Sequence, residues 1–252
     1  MKTPWFALDE IDSTNAEAKR RIEANTDLQD FAITAKHQTQ GKGRRNNPWV
    51  APAGHNLNLS FATRIQIEPS KLPLFSLWIG TSVAQLFDEL GHPIALKWPN
   101  DLYSIHTDPR ESRKLGGILI ERFQNHWIIG LGINLLKTQL PAELSHQATS
   151  LQNEHPHLVT EPDLVTQIAE AIISKWEVFL NAPQFEDIIL PATPAKFSRH
   201  HIYHEQIVSF HSGQEQPMGR IVGVSEKGGL LLNEFSGIQE YVDAHTIRLC
   251  QF

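Results

Sequence analysis

From Gln38 to Trp49 the chain reads Gln-Thr-Gln-Gly-Lys-Gly-Arg-Arg-Asn-Asn-Pro-Trp, which puts three cations and two glycines into one short loop. Glycine lets the backbone approach a ligand and turn its N–H groups inward, while Lys42, Arg44 and Arg45 offer charge-assisted donors to carboxylate or phosphate oxygens. A nucleotide or another anion is the natural occupant. The pattern is neither the Walker loop nor the dinucleotide fingerprint, and the same composition would serve a solvated hairpin. A second cluster, Lys97-Trp98-Pro99-Asn100-Asp101, offers an amide and a carboxylate just past the end of a strand. Asp101 could hold Mg²⁺, which takes a carboxylate or two plus substrate phosphates, although Pro-Asn-Asp also suits a plain turn. A third, Arg113-Lys114-Leu115-Gly116-Gly117-Ile118-Leu119-Ile120-Glu121, leads a cation into a strand through two glycines. In Gly130-Leu131-Gly132-Ile133-Asn134-Leu135, glycine alternates with bulk, so something packs close to the bare face and leaves Asn134 at its edge.

The surroundings sharpen these clusters. Lys and Arg number 22 against 28 Asp and Glu, a net charge of −6, so the chain lacks the bulk field of a nucleic-acid binder and the basic loop is a local reversal. Cys250 is the only cysteine, which excludes an intrachain disulfide and favours a reducing, cytoplasmic location. Asp9 and Glu10 interrupt any signal-peptide core, and no stretch approaches the roughly 18 apolar residues of a membrane span. The 13 histidines form no HExxH motif, and His200, His201 and His204 fall in a linker, so no zinc site is expected.

Alternating apolar and polar residues predict strands at 31–36, 57–61, 94–98, 117–123 and 127–135. Three helices accompany them. The first starts at Asp-Ser-Thr-Asn, where Thr14 and Glu17 have the spacing of a capping box, a cap worth about 1 kcal/mol. The second spans 71–90, with Leu74, Leu77, Ala84 and Phe87 on one face and Gly91 and Pro93 as its stop. The third spans 161–180, its core stripe formed by Leu164, Ile168, Ile172, Trp176 and Phe179. A Pro-rich stretch at 190–194 then opens a run of short strands at 207–210, 218–224, 229–232 and 238–242. The expected organisation is a mixed α/β domain over 1–195 and a small barrel over 196–252.

Taken in order, Ser13-Thr14-Asn15 and the four clusters above resemble the biotin protein ligase family, and 218–224 with 229–232 resemble that family's small SH3-like barrel. Ser13 lies so early that the form without an N-terminal DNA-binding domain is expected, with no DNA and no membrane among its partners. The resemblance implies an α+β fold, a mixed β-sheet with packed helices like those of class II aminoacyl-tRNA synthetases and biotin ligases, then the barrel. It implies ATP-dependent activation of biotin to biotinyl-5′-AMP and transfer to a lysine of a biotin carboxyl carrier protein, an acetyl-CoA carboxylase subunit. By the family pattern, Ser13, Thr14, Asn15 and Gln38 contact the biotin ring system against Gly117, with Lys42, Gly43 and Arg44 closing over it. Lys114 reaches the biotin carboxylate and the α-phosphate. Arg44, Arg45, Trp49, Asn100 and Asn134 serve ATP, the Trp49 indole flanking adenine, and Asp101 serves Mg²⁺ or the incoming lysine. Lys114, Arg44 and Asp101 are the catalytic set. A lipoate protein ligase would share the fold and adenylation logic, but Gly-Lys-Gly-Arg-Arg with Lys-Trp-Pro-Asn-Asp favours biotin. Retention of Lys114 argues against a non-catalytic nucleotide- or biotin-binding module. An open sheet edge could pair with a second copy.

The family loop usually reads Gly-Arg-Gly-Arg-Arg-Gly-Arg before its Trp, whereas here Lys42, Asn46, Asn47 and Pro48 intervene. Lys keeps a point charge but loses the planar fork of Arg. Biotinyl-adenylate is therefore expected to leave faster than from Asn47→Arg, measured as its dissociation rate from each protein; equal rates would count against the missing cation.

Overall fold

The computed structural model describes residues 3–137, 146–157, 164–180, 182, 193–212, 216–242 and 247–250. Its elements are β1 (Trp5–Ile11), α1 (Thr14–Ala24), β2 (Phe31–Gln38), β3 (Asn56–Thr63), α2 (Leu72–Glu89), β4 (Ala95–Lys97), β5 (Asp101–Tyr103), β6 (Lys114–Phe123), β7 (His126–Asn134), α3 (Leu151–Glu154), α4 (Leu164–Leu180), α5 (Thr193–His200), β8 (Ile207–Ser209), β9 (Met218–Val224), β10 (Leu230–Glu234), β11 (Gly237–Tyr241) and β12 (Arg248–Leu249). The fold is mixed α+β. The chain packs as two units, each built from two stretches: Met1–Gln66 with Arg113–Ala182, and Ile67–Ser112 with Pro183–Phe252. The change of texture near residue 195 thus falls inside a stretch of the second unit rather than at its edge.

In the first unit the strands run in the order β1-β2-β3-β7-β6, β1 and β2 parallel and the rest antiparallel. Every residue of β3 is buried, so both faces of this strand are covered. Phe61 meets Trp176 of α4 edge-on at 6.0 Å, while its neighbour Ala62 joins Ala18 and Ile22 of α1 with Phe31, Ile33 and Ile128. Successive strand residues point to opposite faces, so α1 and α4 cover opposite sides of the sheet. The predicted stripe on α4 is buried at Ile168, Ile172 and Trp176. Residues 161–163 and the Phe179 side chain lie outside the description.

Three local expectations need correction. Thr14 is not the cap of α1 but its first residue, Ser13 occupies the cap position, and no side chain caps the helix. The Thr14 hydroxyl instead turns to Gln38, and Glu17 pairs with Arg20 and Arg21. The Pro-rich linker hides a helix: α5 begins at Thr193, and Pro194 is tolerated in a first turn that needs no N–H there, which places His200 at a helix end. The alternation pattern assigns no strand over residues 5–11, where Asp9-Glu10 interrupts the short apolar run, and Pro-Asn-Asp suits a plain turn, whereas β1 and β5 form there.

In the second unit α2 buries Leu74, Leu77, Ala84 and Phe87 as its spacing requires and ends at Gly91, where φ is +77°. It packs on α5, which also touches β4 and β9. The strands β11-β10-β9-β8-β12 form an antiparallel sheet. No helix among the described residues is long and apolar enough to cross a membrane.

His201 joins two parts of this unit. Its Nε2 lies 3.1 Å from the Trp98 N–H and its Nδ1 3.1 Å from the Tyr203 N–H, and the residue is buried. Protonation would turn a second ring N–H against a backbone donor at a buried position. Burial, with the nearby charges of His204 and Lys97, pushes its pKa from 6.5 down to about 3. The unfolded chain takes up this proton below about pH 6.5 and the folded chain refuses it until about pH 3. Stability from this group is therefore complete above 6.5 and is lost on acidification, by up to about 1.4 kcal/mol per pH unit. Urea unfolding from pH 7 to 4 should show a wild-type slope that His201→Gln lacks; parallel curves would refute the assignment.

Candidate active site

Residues that face each other across a ladder lie on the same side of the sheet, so register sorts the first unit into faces. Asn56 faces Asn134, Asn58 faces Gly132 and Ser60 faces Gly130 across β3 and β7; Gly117 and Leu119 face Gly132 and Gly130 from β6. Amides, a hydroxyl and glycines thus occupy one side of three adjacent strands. Asn56, Asn58, Ser60 and Asn134 are 1, 2, 0 and 4% exposed, and burying such groups is costly unless they are paired.

The first turn of α1 supplies much of that pairing. Gln38, ending β2, accepts the Thr14 N–H at 2.8 Å and its hydroxyl at 3.0 Å through Oε1, and donates Nε2 to Asn58 Oδ1 at 3.2 Å. Asn58 donates Nδ2 to the Ala35 carbonyl at 3.2 Å. The Ser60 hydroxyl lies 2.8 Å from Thr14 Oγ1 and 2.5 Å from Asn15 Oδ1, and Asn15 donates Nδ2 to Glu121 Oε2 at 2.8 Å. Lys19 holds the other Glu121 oxygen at 2.7 Å. Burial pushes the Glu121 carboxyl up, but the hydrogen bonds from Lys19 and Asn15 and the charges of Lys19 and Lys42 outweigh it, leaving a pKa below the ordinary 4.5. Ser13, Asn15, Lys42, Gly43, Arg45 and Glu121 border a cleft of about 300 Å³.

The basic loop is a closed hairpin. Gly43 N–H donates to Asn47 O at 2.8 Å, Trp49 N–H to Gly41 O at 2.9 Å, and Lys42 pairs with Pro48. Arg45 takes the left-handed conformation, φ 55°, at the tip, with Lys42 and Arg44 exposed beside it. The loop returns Trp49 over β7: a methyl on Gly132 would lie 2.7 Å from the indole, and one on Gly130 would lie 2.6 Å from Asn15 Oδ1. The alternating glycines therefore do admit close neighbours. Trp49 Nε1 donates to Asn58 Oδ1 at 3.1 Å.

Lys114 opens β6, and its backbone is clamped by Gln147 O at 2.9 Å and Thr149 N–H at 2.8 Å. Asn134 donates Nδ2 to Thr149 O at 3.0 Å, so one segment ties down both residues. The Oδ1 atoms of Asn56 and Asn134 are buried without a partner among the described residues, a deficit of about 1–3 kcal/mol each that a ligand donor could remove. In the second unit, Asn100 closes the turn after β4, and Asp101 opens β5 opposite Lys97. The Lys97 ammonium lies over the rings of Tyr103 and Tyr203, 5.0 and 5.2 Å from their centres. Asn56, Asn58, Ser60 and Lys19 were missed by motif reading; a polar residue at every second position of Asn-Leu-Asn-Leu-Ser-Phe was their signal.

A family model described as the biotin/lipoate A/B protein ligase family matches residues 7–134. The chain is 35% identical over 155 residues to a biotin--[acetyl-CoA-carboxylase] ligase of Mycobacterium tuberculosis, covering 58% of this chain and 55% of that one. It is 28% identical to the ligase of the same name from Paracoccus denitrificans, covering 92% and 95%. Among solved structures, a biotin protein ligase from Aquifex aeolicus in complex with biotin and ATP superposes with a TM-score of 0.81 at 26% identity, covering 98% of this chain and 99% of that one.

The contact at Gly132 is testable without any ligand. Gly132→Ala should push the indole off β7, because a side chain on a surface loop yields more easily than a central strand. The Trp49 emission, taken as the difference from Trp49→Phe, should shift to the red while the fold survives; an unchanged spectrum would place the indole elsewhere.

Proposed function

Because the chain belongs to the biotin/lipoate A/B protein ligase family, we propose that it is a biotin protein ligase acting on a biotin carboxyl carrier protein of acetyl-CoA carboxylase. The observation that carries this reading is the buried polar strip of the first unit, with fixed donors and acceptors at α1 and, at the far end, two unpartnered amide oxygens, one of them on Asn134, whose side chain is tied to the same 147–149 segment as the Lys114 backbone. It suits an elongated ligand with a polar ring at one end and an anion at the other.

Biotin's cyclic urea meets Ser13, Thr14, Asn15 and Gln38, whose polarities are set before any ligand arrives. Its thioether ring lies on the bare Gly117 surface, and Lys42, Gly43 and Arg44 close over it. The biotin carboxylate attacks the α-phosphate of ATP, forming the mixed anhydride and releasing pyrophosphate. Two anions must meet for that step, so Lys114 bridges the carboxylate and the α-phosphate while Arg44 and Arg45 neutralise the nucleotide. Trp49 flanks adenine, and Asn100 and Asn134 serve the nucleotide; an exocyclic amine is the kind of donor that Asn134 Oδ1 lacks. The carrier lysine's amine then attacks the acyl carbon and AMP leaves.

A single carboxylate beside triphosphate oxygens is the donor set Mg²⁺ commonly accepts, and Asp101 fits it. The ion would neutralise phosphate charge, and Asp101 alternatively receives the incoming lysine. The meander of β8 to β11, closed on β8 by β12, supports reading this sheet as the SH3-like barrel. A homodimer paired along β1, the outer strand of the first unit, is compatible with its position.

The protein mixed with biotin, Mg-ATP and a carrier domain should add one biotin mass to a carrier lysine; addition of lipoate but not biotin would overturn the reading. Lys114→Ala should slow pyrophosphate release by about 100-fold or more, the scale of removing one preorganised charge-stabilising donor. A near-wild-type rate would remove Lys114 from this role.

A further inference from the structure

We propose that Asn58 is a positioning residue whose one carbonyl oxygen sets both the amide of Gln38 and the indole of Trp49, tying the biotin end of the site to the nucleotide end. The proposal rests on the ligase reading above, which assigns Gln38 to biotin and Trp49 to adenine. Neither the basic loop nor the motif around Gln38 contains Asn58; it sits at the centre of β3, 2% exposed.

The hydrogen bonds leave one arrangement. The Thr14 N–H can only donate, so the atom of Gln38 at 2.8 Å from it must be the carbonyl oxygen. The Gln38 Nε2 then points at Asn58, 3.2 Å away, and requires an acceptor there. At the other end the Ala35 carbonyl can only accept, so the Asn58 atom at 3.2 Å from it must be Nδ2. Both backbone groups, approached from opposite ends, put Asn58 Oδ1 in the middle. An sp² oxygen has two lone pairs, and the second takes the Trp49 Nε1–H at 3.1 Å. An amide is well suited to this place: it gives a donor to β2 and a two-fold acceptor to the site from one rigid group.

Two consequences separate Asn58 from an ordinary buried polar residue. Without its oxygen, Gln38 Nε2 has no partner on the strand, and the amide, its oxygen still drawn to Thr14, loses the bond that fixes its plane and the direction of its N–H groups toward the ligand. The Trp49 indole, which approaches Gly132 with no side chain between them, loses the bond that fixes its rotation over the strand. One substitution on β3 should thus disturb two ligands through two different side chains.

The test measures two affinities by calorimetry: biotin alone, and an ATP analogue with a methylene group between the α and β phosphates, in saturating biotin. In Asn58→Leu both should weaken by about fivefold or more, the scale of one hydrogen bond. In Trp49→Phe, which keeps a ring and the Gln38–Asn58 bond, the analogue should weaken while biotin stays within about twofold, the error of independent effects. The double variant should bind the analogue no worse than either single variant and biotin as Asn58→Leu does. Weakening of a single ligand in Asn58→Leu, or additive losses for the analogue in the double variant, would overturn the proposal. If Asn58→Leu does not fold, Asn58→Ser, whose hydroxyl is too short to serve both donors, must show the same split. Wild-type protein that binds neither compound would instead overturn the ligase reading, and this is measured first.

Discussion

A buried amide stabilises a fold only when both its donor and its acceptor find partners, and the first unit is arranged around that demand. The strand that crosses its centre carries Asn56, Asn58 and Ser60 where an ordinary sheet would carry leucine or valine. Side-chain partners must therefore come from beyond the strand itself, and they come from the first turn of α1, the end of β2 and Trp49. Glycines at 130 and 132 follow directly, since any side chain there would occupy the space through which Asn15 and Trp49 reach down. The same demand engages the first helical residue, whose hydroxyl turns to Gln38 rather than to the helix backbone.

Charge is handled with similar locality. In a chain of net charge −6, one cation at the cleft is held by a carboxylate: Lys19 is bound to Glu121, which keeps a pKa below the ordinary value despite partial burial. An ionised Glu121 fixes Asn15 by accepting its Nδ2, so an ion pair at the border of the strip sets the direction of an amide inside it. Arg45 departs from ordinary backbone geometry to turn the hairpin.

How much of this the sequence disclosed depended on what kind of signal each element carried. Helices α2 and α4 and the strands β3, β6 and β7 were legible because burial on defined faces leaves a period in the apolar residues. The loop, Lys114 and the glycines were legible as motifs. β1 was not, because an edge strand half exposed to water has no strong alternation, and α5 was not, because Pro194 reads as a break although the first turn of a helix accepts it. Asn58 escaped for another reason: its role lies in contacts to residues 9 and 20 positions away, and nothing about the residue itself announces them.

The two units are interleaved along the chain, the second beginning at Ile67 before the first is finished at Ala182. A chain emerging from the ribosome would have β1, β2 and β3 in hand early, yet β3 lies between β2 and β7, and β7 ends only at Asn134. The polar strip would meanwhile stand open on one side, its amides hydrated. The site is thus absent from any nascent piece that stops before Arg113, and synthesis cannot deliver one finished unit and then the other.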